Sequence, residues 1–176
     1  PHKGDAILVT PGTVHAADGG ILIAEIQESS DMTFRLFDWG RENNPATARP
    51  LHLEEAIDII DYGKYDDANF IKEDGLRGSK VLAQCPEFTV TRHRADAPVA
   101  FADDDTFHVF MCTQGSFAIR VDADADEPAA SYELSKGETI LVPAQVGEFS
   151  LIPLSAGGEV VEATVARREE ADQYIN

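Results

Sequence analysis

The chain has 176 residues, with 32 acidic against 14 basic side chains and a formal charge of −18, and it lacks the Lys/Arg stripes that displace counterions from a nucleic acid. Hydrophobic residues make up 43% of it, enough for a real core, while its apolar runs are only a few residues long, too short to span a bilayer. The acidity reads as a solubility feature.

In chain order, residues 6–9, 21–28 and 32–37 read as strands, rich in Ile, Val, Leu and Phe and broken by glycine or by Ser29-Ser30-Asp31. Residues 40–50 carry loop chemistry, with Asn43-Asn44-Pro45 and Arg49-Pro50. Over 51–62, Leu53, Ala56, Ile57 and Ile60 recur at helical spacing with acids opposite, which predicts a packing helix. A polar connector follows over 63–78. Short strands are then expected at 79–83, 87–94, 107–113, 116–122, 131–134, 138–142, 148–152 and 159–165, with a short terminal helix over 167–174. Many short strands at close spacing make a mainly β fold, an antiparallel sandwich or barrel.

Two acidic stretches fall in expected turns, 103–105 and 122–127. Alternating Asp in the second offers oxygens to calcium. It lacks the glycine turn and distal Glu of a dedicated loop, so a solvated hairpin tip is expected. Cys85 and Cys112 have no CxxC pairing and are expected as reduced thiols, which fits a cytoplasmic protein without a secretion leader. Pro1 enters directly into a strand-like pattern, which suggests a truncated N-terminus.

One unit occurs twice. Lys3-Gly4-Asp5-Ala6-Ile7-Leu8-Val9 returns as Lys136-Gly137-Glu138-Thr139-Ile140-Leu141-Val142. Each copy has a Lys-Gly turn followed by a strand opened by an acid, which implies two related barrels. On this reading 79–166 is one complete barrel and 1–39 holds the closing strands of another. Residues 40–78 are loop, helix and connector, and 167–176 are a tail.

The first copy continues from Gly4 through five residues to Thr10-Pro11-Gly12-Thr13-Val14-His15. This resembles the second sequence motif of the cupin barrels, with Thr10 where proline usually stands. The whole stretch TPGTVHAADGGILIAEIQESSDMTFRLFDWGR, followed by RPLHLEEAIDIIDYG, resembles the type I phosphomannose (mannose-6-phosphate) isomerases. The likeness is strong over 4–62 and weaker over 79–165, which looks like that family's C-terminal cupin domain. Phe34 and Phe37 stand at tyrosine positions.

The resemblance implies a cupin-type, jelly-roll-like antiparallel barrel and a zinc-dependent aldose–ketose isomerase acting on a phosphorylated hexose. It makes His15 a ligand of the catalytic zinc. It makes Arg35 a catalytic and substrate-binding arginine, facing either the ene-diolate or the phosphate. The family's other metal ligands, a glutamine, a histidine and a glutamate, come from segments upstream of this start. One imidazole does not hold zinc usefully, so the chain is expected to be the C-terminal portion of an enzyme and inactive by itself. The alternative is a non-catalytic cupin domain with a structural or sugar-binding role.

Simpler roles stand beside these. His15 would otherwise be a turn histidine, and Arg35 an ion-pair arginine to Glu25 or Asp31. Glu25 is a lumen residue or an exposed strand acid. Asp38 and Arg41 are expected to fix the loop after the strand, His52 to be structural, and His2 and Lys3 to be exposed. In the second copy Glu148 takes the place of His15, and a His108–Glu148 metal pair is conceivable. Two ligands make a poor site, so a barrel without metal is expected there. His93 is expected on an outward, solvated strand face.

Overall fold

The computed structural model describes residues 1–30, 32–123 and 128–165. The acidic tip at 124–127, the tail from 166 on and Asp31 lie outside them, so the calcium reading, the terminal helix and an Arg35–Asp31 pair are not addressed. The chain divides into two compact units, one of residues 1–7 with 70 onward, the other of residues 8–69.

In the first unit, β1 (Ala6–Ile7) pairs antiparallel with β2 (Phe70–Ile71). The remaining strands are β3 (Gly78–Gln84), β4 (Phe88–Arg94), β5 (Val99–Phe101), β6 (His108–Gln114), β7 (Ser116–Val121), β8 (Ala130–Ser135), β9 (Thr139–Val142), β10 (Phe149–Pro153) and β11 (Glu159–Val165). They form a five-stranded sheet, β3-β4-β11-β6-β9, and a four-stranded sheet, β5-β10-β7-β8, antiparallel throughout. Phe110, Cys112, Val142 and Val160 of the first sheet form one buried cluster with Phe117, Ile119, Leu134, Phe149 and Leu151 of the second. The core therefore lies between two facing sheets, as alternating inward side chains require. The mainly β expectation holds, with the ladders remaining two sheets. Every strand expected from 79 on is present within one or two residues, and β2 and β5 are additional.

The repeated Lys-Gly unit makes the same turn twice. Asp5 N–H donates to His2 C=O (3.1 Å) and Glu138 N–H to Ser135 C=O (2.9 Å). In each copy the acid also reaches back to the backbone N–H that opens the turn: His2 N–H to Asp5 Oδ2 (2.6 Å) and Ser135 N–H to Glu138 Oε2 (2.7 Å). Gly4 and Gly137 have φ of 92° and 90°, the left-handed backbone a turn demands at its third residue.

The outer face of the five-stranded sheet is strapped by the connector. Arg92, 2% exposed, donates to Glu73 Oε2 and Asp74 Oδ1 (both 3.0 Å), and Arg94 donates to both Glu73 oxygens and to Glu159 Oε2. The Arg94 hydrogen bond, opposed by some desolvation and helped by Gly75 N–H and Arg92, lowers the Glu73 carboxyl to about 2.

In the second unit α1 spans Leu53–Ile59, shorter than the expected 51–62. Ile60 is extended (ψ 130°), and Asp61 N–H donates to Gly12 C=O (3.0 Å) instead of continuing the helix. Of the expected stripe Ala56 is buried at 2%, while Leu53 and Ile57 are exposed. Residues 21–28 and 32–37 are not strands. A strand needs a neighbouring ladder for its N–H and C=O groups, and among the described residues none pairs with them. Their apolar side chains stay open to solvent, Leu22 at 98% and Met32 at 70% exposed.

Candidate active site

His15 and Arg35 both lie in the unit of residues 8–69. No hydrogen bond or ion pair among the described residues joins them. The turn before His15 is built by Pro11-Gly12. Thr13 N–H donates to Thr10 C=O (3.1 Å), and the two hydroxyls meet at 3.0 Å. Gly12 has φ 82°, and a Cβ there would stand 2.7 Å from the Ile59 carbonyl oxygen.

His15 is exposed, and its Nδ1 lies 2.9 Å from the Thr13 carbonyl oxygen. A carbonyl only accepts, so Nδ1 carries the proton and the Nε2 lone pair faces away, free for a ligand. A backbone carbonyl fixing the imidazole tautomer in this way is how metal-binding histidines are commonly oriented. The side chain thus suits one metal bond. Among the described residues no group of three or more His, Cys, Asp or Glu stands together to hold a metal ion.

Arg35 is half-buried and held from three directions. Its N–H donates to His52 Nδ1 (3.1 Å), its C=O accepts from His52 N–H (2.9 Å), and its Nη1 donates to Pro50 C=O (3.4 Å). His52, which caps α1, packs its ring edge-on to Phe34 (6.2 Å), so the structural role expected of it is to seat Arg35. Neither Glu25 nor any other described acid pairs with the Arg35 guanidinium.

Asp38, 2% exposed, accepts a fork from Arg49, with Nε at 2.9 Å, and faces Arg41 at 3.5 Å. These arginines, Arg49 foremost, hold its carboxyl below the usual range against desolvation. Asp38 and Arg41 fix the loop as expected, and Arg49 is the partner the sequence did not disclose.

Two expectations about the β unit need correction. His93 is not solvated: it is 4% exposed. Its ladder partner is Val160, a core residue, and paired residues share a face. Phe88 and Val90 suggest the opposite parity because the other face of β4 is also covered. Nor does His108 pair with Glu148, which is exposed. His108 Nδ1 lies 2.6 Å from Glu162 Oε1, and His93 Nε2 lies 2.7 Å from Glu162 Oε2. Ser79 Oγ lies 2.8 Å from His93 Nδ1, and Asp104 Oδ1 lies 3.3 Å from His108 Nε2. Glu162, which organises the group, went unrecognised in the sequence; its one signal is that it shares the parity of Val160.

Two facing antiparallel sheets, an interior lined by histidine and phenylalanine, and a Gly-turn-His unit used once with histidine and once with glutamate are the features of a cupin. Residues 79–153 match the family model of the mannose-6-phosphate isomerase cupin domain. The chain is 31% identical over 150 residues to a probable mannose-6-phosphate isomerase, GmuF, of Bacillus subtilis, covering 84% of this chain and 46% of that protein. It is 32% identical over 142 residues to a mannose-6-phosphate isomerase of Streptococcus mutans, covering 80% and 43%. The crystal structure of the mannose 6-phosphate isomerase from Bacillus subtilis has the same fold, with TM-score 0.50 and 19% identity over 76% of this chain and 40% of that one. The chain is thus similar to mannose-6-phosphate isomerases, and over residues 79–153 to the model of their cupin domain; it spans about half the length of the curated relatives it matches.

Proposed function

We propose that these residues are the C-terminal portion of a zinc-dependent mannose-6-phosphate isomerase, interconverting mannose 6-phosphate and fructose 6-phosphate in the cytoplasm. The observation that carries this is His15. Its proton is committed to the Thr13 carbonyl, and its free Nε2 faces solvent at the end of a rigid Pro-Gly turn. His15 would hold the metal together with a glutamine, a histidine and a glutamate from a preceding segment. A bound zinc would polarise the sugar's carbonyl and hydroxyl oxygens.

Arg35 supplies the planar, cationic guanidinium suited to a phosphate or an oxyanion. Backbone contacts with His52 and Pro50 direct it, and no described carboxylate forms a salt bridge with its guanidinium, which leaves its donors for a substrate anion. That anion is the phosphate if Arg35→Ala chiefly raises KM, and the ene-diolate if it chiefly lowers kcat. The exposed apolar side chains Ile21, Leu22, Ile23, Met32 and Phe37 support a missing half. A surface of that kind is ordinarily covered, and the preceding segment would cover it as neighbouring strands.

Elemental analysis and a turnover assay on the purified 176-residue chain test the reading. Little zinc and no isomerisation are expected. One zinc per chain held through His15, or robust turnover, would overturn the view that the site is completed from elsewhere. A structural or sugar-binding cupin remains the rival. It has support in the β unit alone, where the position equivalent to His15 is Glu148, and Phe101, Phe110 and Phe149 pack together in the interior with ring centroids 4.7–5.9 Å apart.

A further inference from the structure

The ionisable chain inside the β unit takes no part in the isomerase reading. His108 has a carboxylate oxygen at each ring nitrogen, Glu162 Oε1 at Nδ1 and Asp104 Oδ1 at Nε2. Carboxylates only accept, so both nitrogens donate and the ring is an imidazolium. Asp104 belongs to the connection 102–107, which carries the chain from β5, at the edge of the four-stranded sheet, to β6, inside the five-stranded one. Its carboxylate also accepts the Thr106 N–H (3.3 Å). Ahead of it, Phe101 stacks on Phe149 at 4.7 Å and meets the His108 ring at 5.5 Å.

We propose that His108 is a pH-operated clasp: as an imidazolium it ties Asp104, and with it the sheet-to-sheet connection 102–107, to the buried Glu162, and on losing its proton it lets that connection open. The groups facing it are Glu162 from β11, Asp104 from the connection, and the rings of Phe101 (β5), Phe110 (β6) and Phe149 (β10). His93 of β4 reaches it only through Glu162.

The release has a direction. A neutral imidazole keeps one donor. The shorter contact, to the 7%-exposed Glu162, retains it, and the Nε2 lone pair then opposes the Asp104 carboxylate, which is nearer to water. Burial works against the charge on His108. The hydrogen bond from Glu162 and the charges of Glu162 and Asp104 outweigh it and raise its pKa above the ordinary value. The clasp is therefore complete below the unfolded histidine value of about 6.5 and is lost as pH rises through the higher folded one. At the acid end burial likewise opposes the Glu162 charge, yet the two histidines hold its pKa low. Its contribution is present above the ordinary carboxyl range and is lost as pH falls through the lowered value.

The test is a pH titration of the 176-residue chain, following His108 ring 15N shifts and amide exchange over 101–108, corrected for intrinsic rates. Below about pH 6.5 both ring nitrogens should be protonated and the connection protected. Protection should fall in step with the His108 titration, while the β6–β11 ladder stays protected. Asp104→Ala, which removes the acceptor, should leave 101–108 fast-exchanging at every pH with an unchanged circular dichroism spectrum. A singly protonated His108 in the acid range, or protection of 101–108 that ignores the His108 titration, would overturn the clasp. Wild-type pH dependence in Asp104→Ala would also overturn it. Should Asp104→Ala fail to fold, the wild-type titration decides alone.

Discussion

Arg35 and His52 hold each other in both directions: the Arg35 N–H donates to the His52 ring at Nδ1, and the His52 N–H donates to the Arg35 carbonyl. Seventeen positions apart in sequence, they lock the arginine's backbone to the start of α1. Only an unprotonated Nδ1 can accept, so the ring's remaining proton is on Nε2. His52→Ala removes the acceptor and the contact with Phe34 while leaving the guanidinium in place. In the isomerase reading it should lower kcat/KM about tenfold, within what small misplacement of a reacting group costs. Arg35→Ala should cost more. Steady-state kinetics of the two variants check the order, and equal or inverted effects would remove His52 as a positioning residue.

Gly12→Ala should damage the same region. Its φ of 82° is strained for any residue with a Cβ, and that carbon would stand 2.7 Å from the Ile59 backbone oxygen. The Gly12–Asp61 hydrogen bond and the turn that presents His15 depend on this approach. We expect a loss of about 1–3 kcal/mol, measured by urea unfolding, with the turn before His15 displaced.

The connector strap should give the chain an acid-sensitive limb. Arg94 first, with Gly75 N–H and Arg92, lowers the Glu73 pKa from 4.5 to about 2 despite desolvation. A depressed carboxyl contributes stability above its unfolded value, and that contribution is lost as pH falls through the folded one. Stability should therefore decline between about pH 4.5 and 2, and Glu73→Gln should flatten that decline. Denaturation midpoints measured at several pH values decide it; an identical decline in the variant would place the acid sensitivity elsewhere.

What could be read in the sequence follows from which interactions are local. β4, β6 and β11 are rich in β-branched, aromatic and other apolar residues and are bounded by turn residues, so their positions were legible. The Lys-Gly turns at Gly4 and Gly137 were legible because only a few backbone shapes suit that pair. β5 is three residues long beside Pro98 and the acidic run, and its strand character comes from β10, not from its own pattern. His93 was assigned the wrong face because both faces of β4 are covered, so hydrophobic parity carried no sign. Glu162 is one acid among many, and its role appears only when β11 lies between β4 and β6. The His15 turn was legible, whereas the runs at 21–28 and 32–37 kept a strand's composition without partners, among the described residues, to make them strands.

We propose above all that His15 is a zinc ligand of a mannose-6-phosphate isomerase whose site is completed by a preceding segment. Its most direct test is the zinc content of the chain expressed together with a preceding segment that supplies the glutamine, histidine and glutamate, compared with its His15→Ala variant, alongside isomerisation of mannose 6-phosphate. The account predicts about one zinc per polypeptide with turnover, and a loss of metal affinity of at least about tenfold with near-complete loss of turnover in the variant. Unchanged zinc and unchanged kcat/KM in His15→Ala would contradict it.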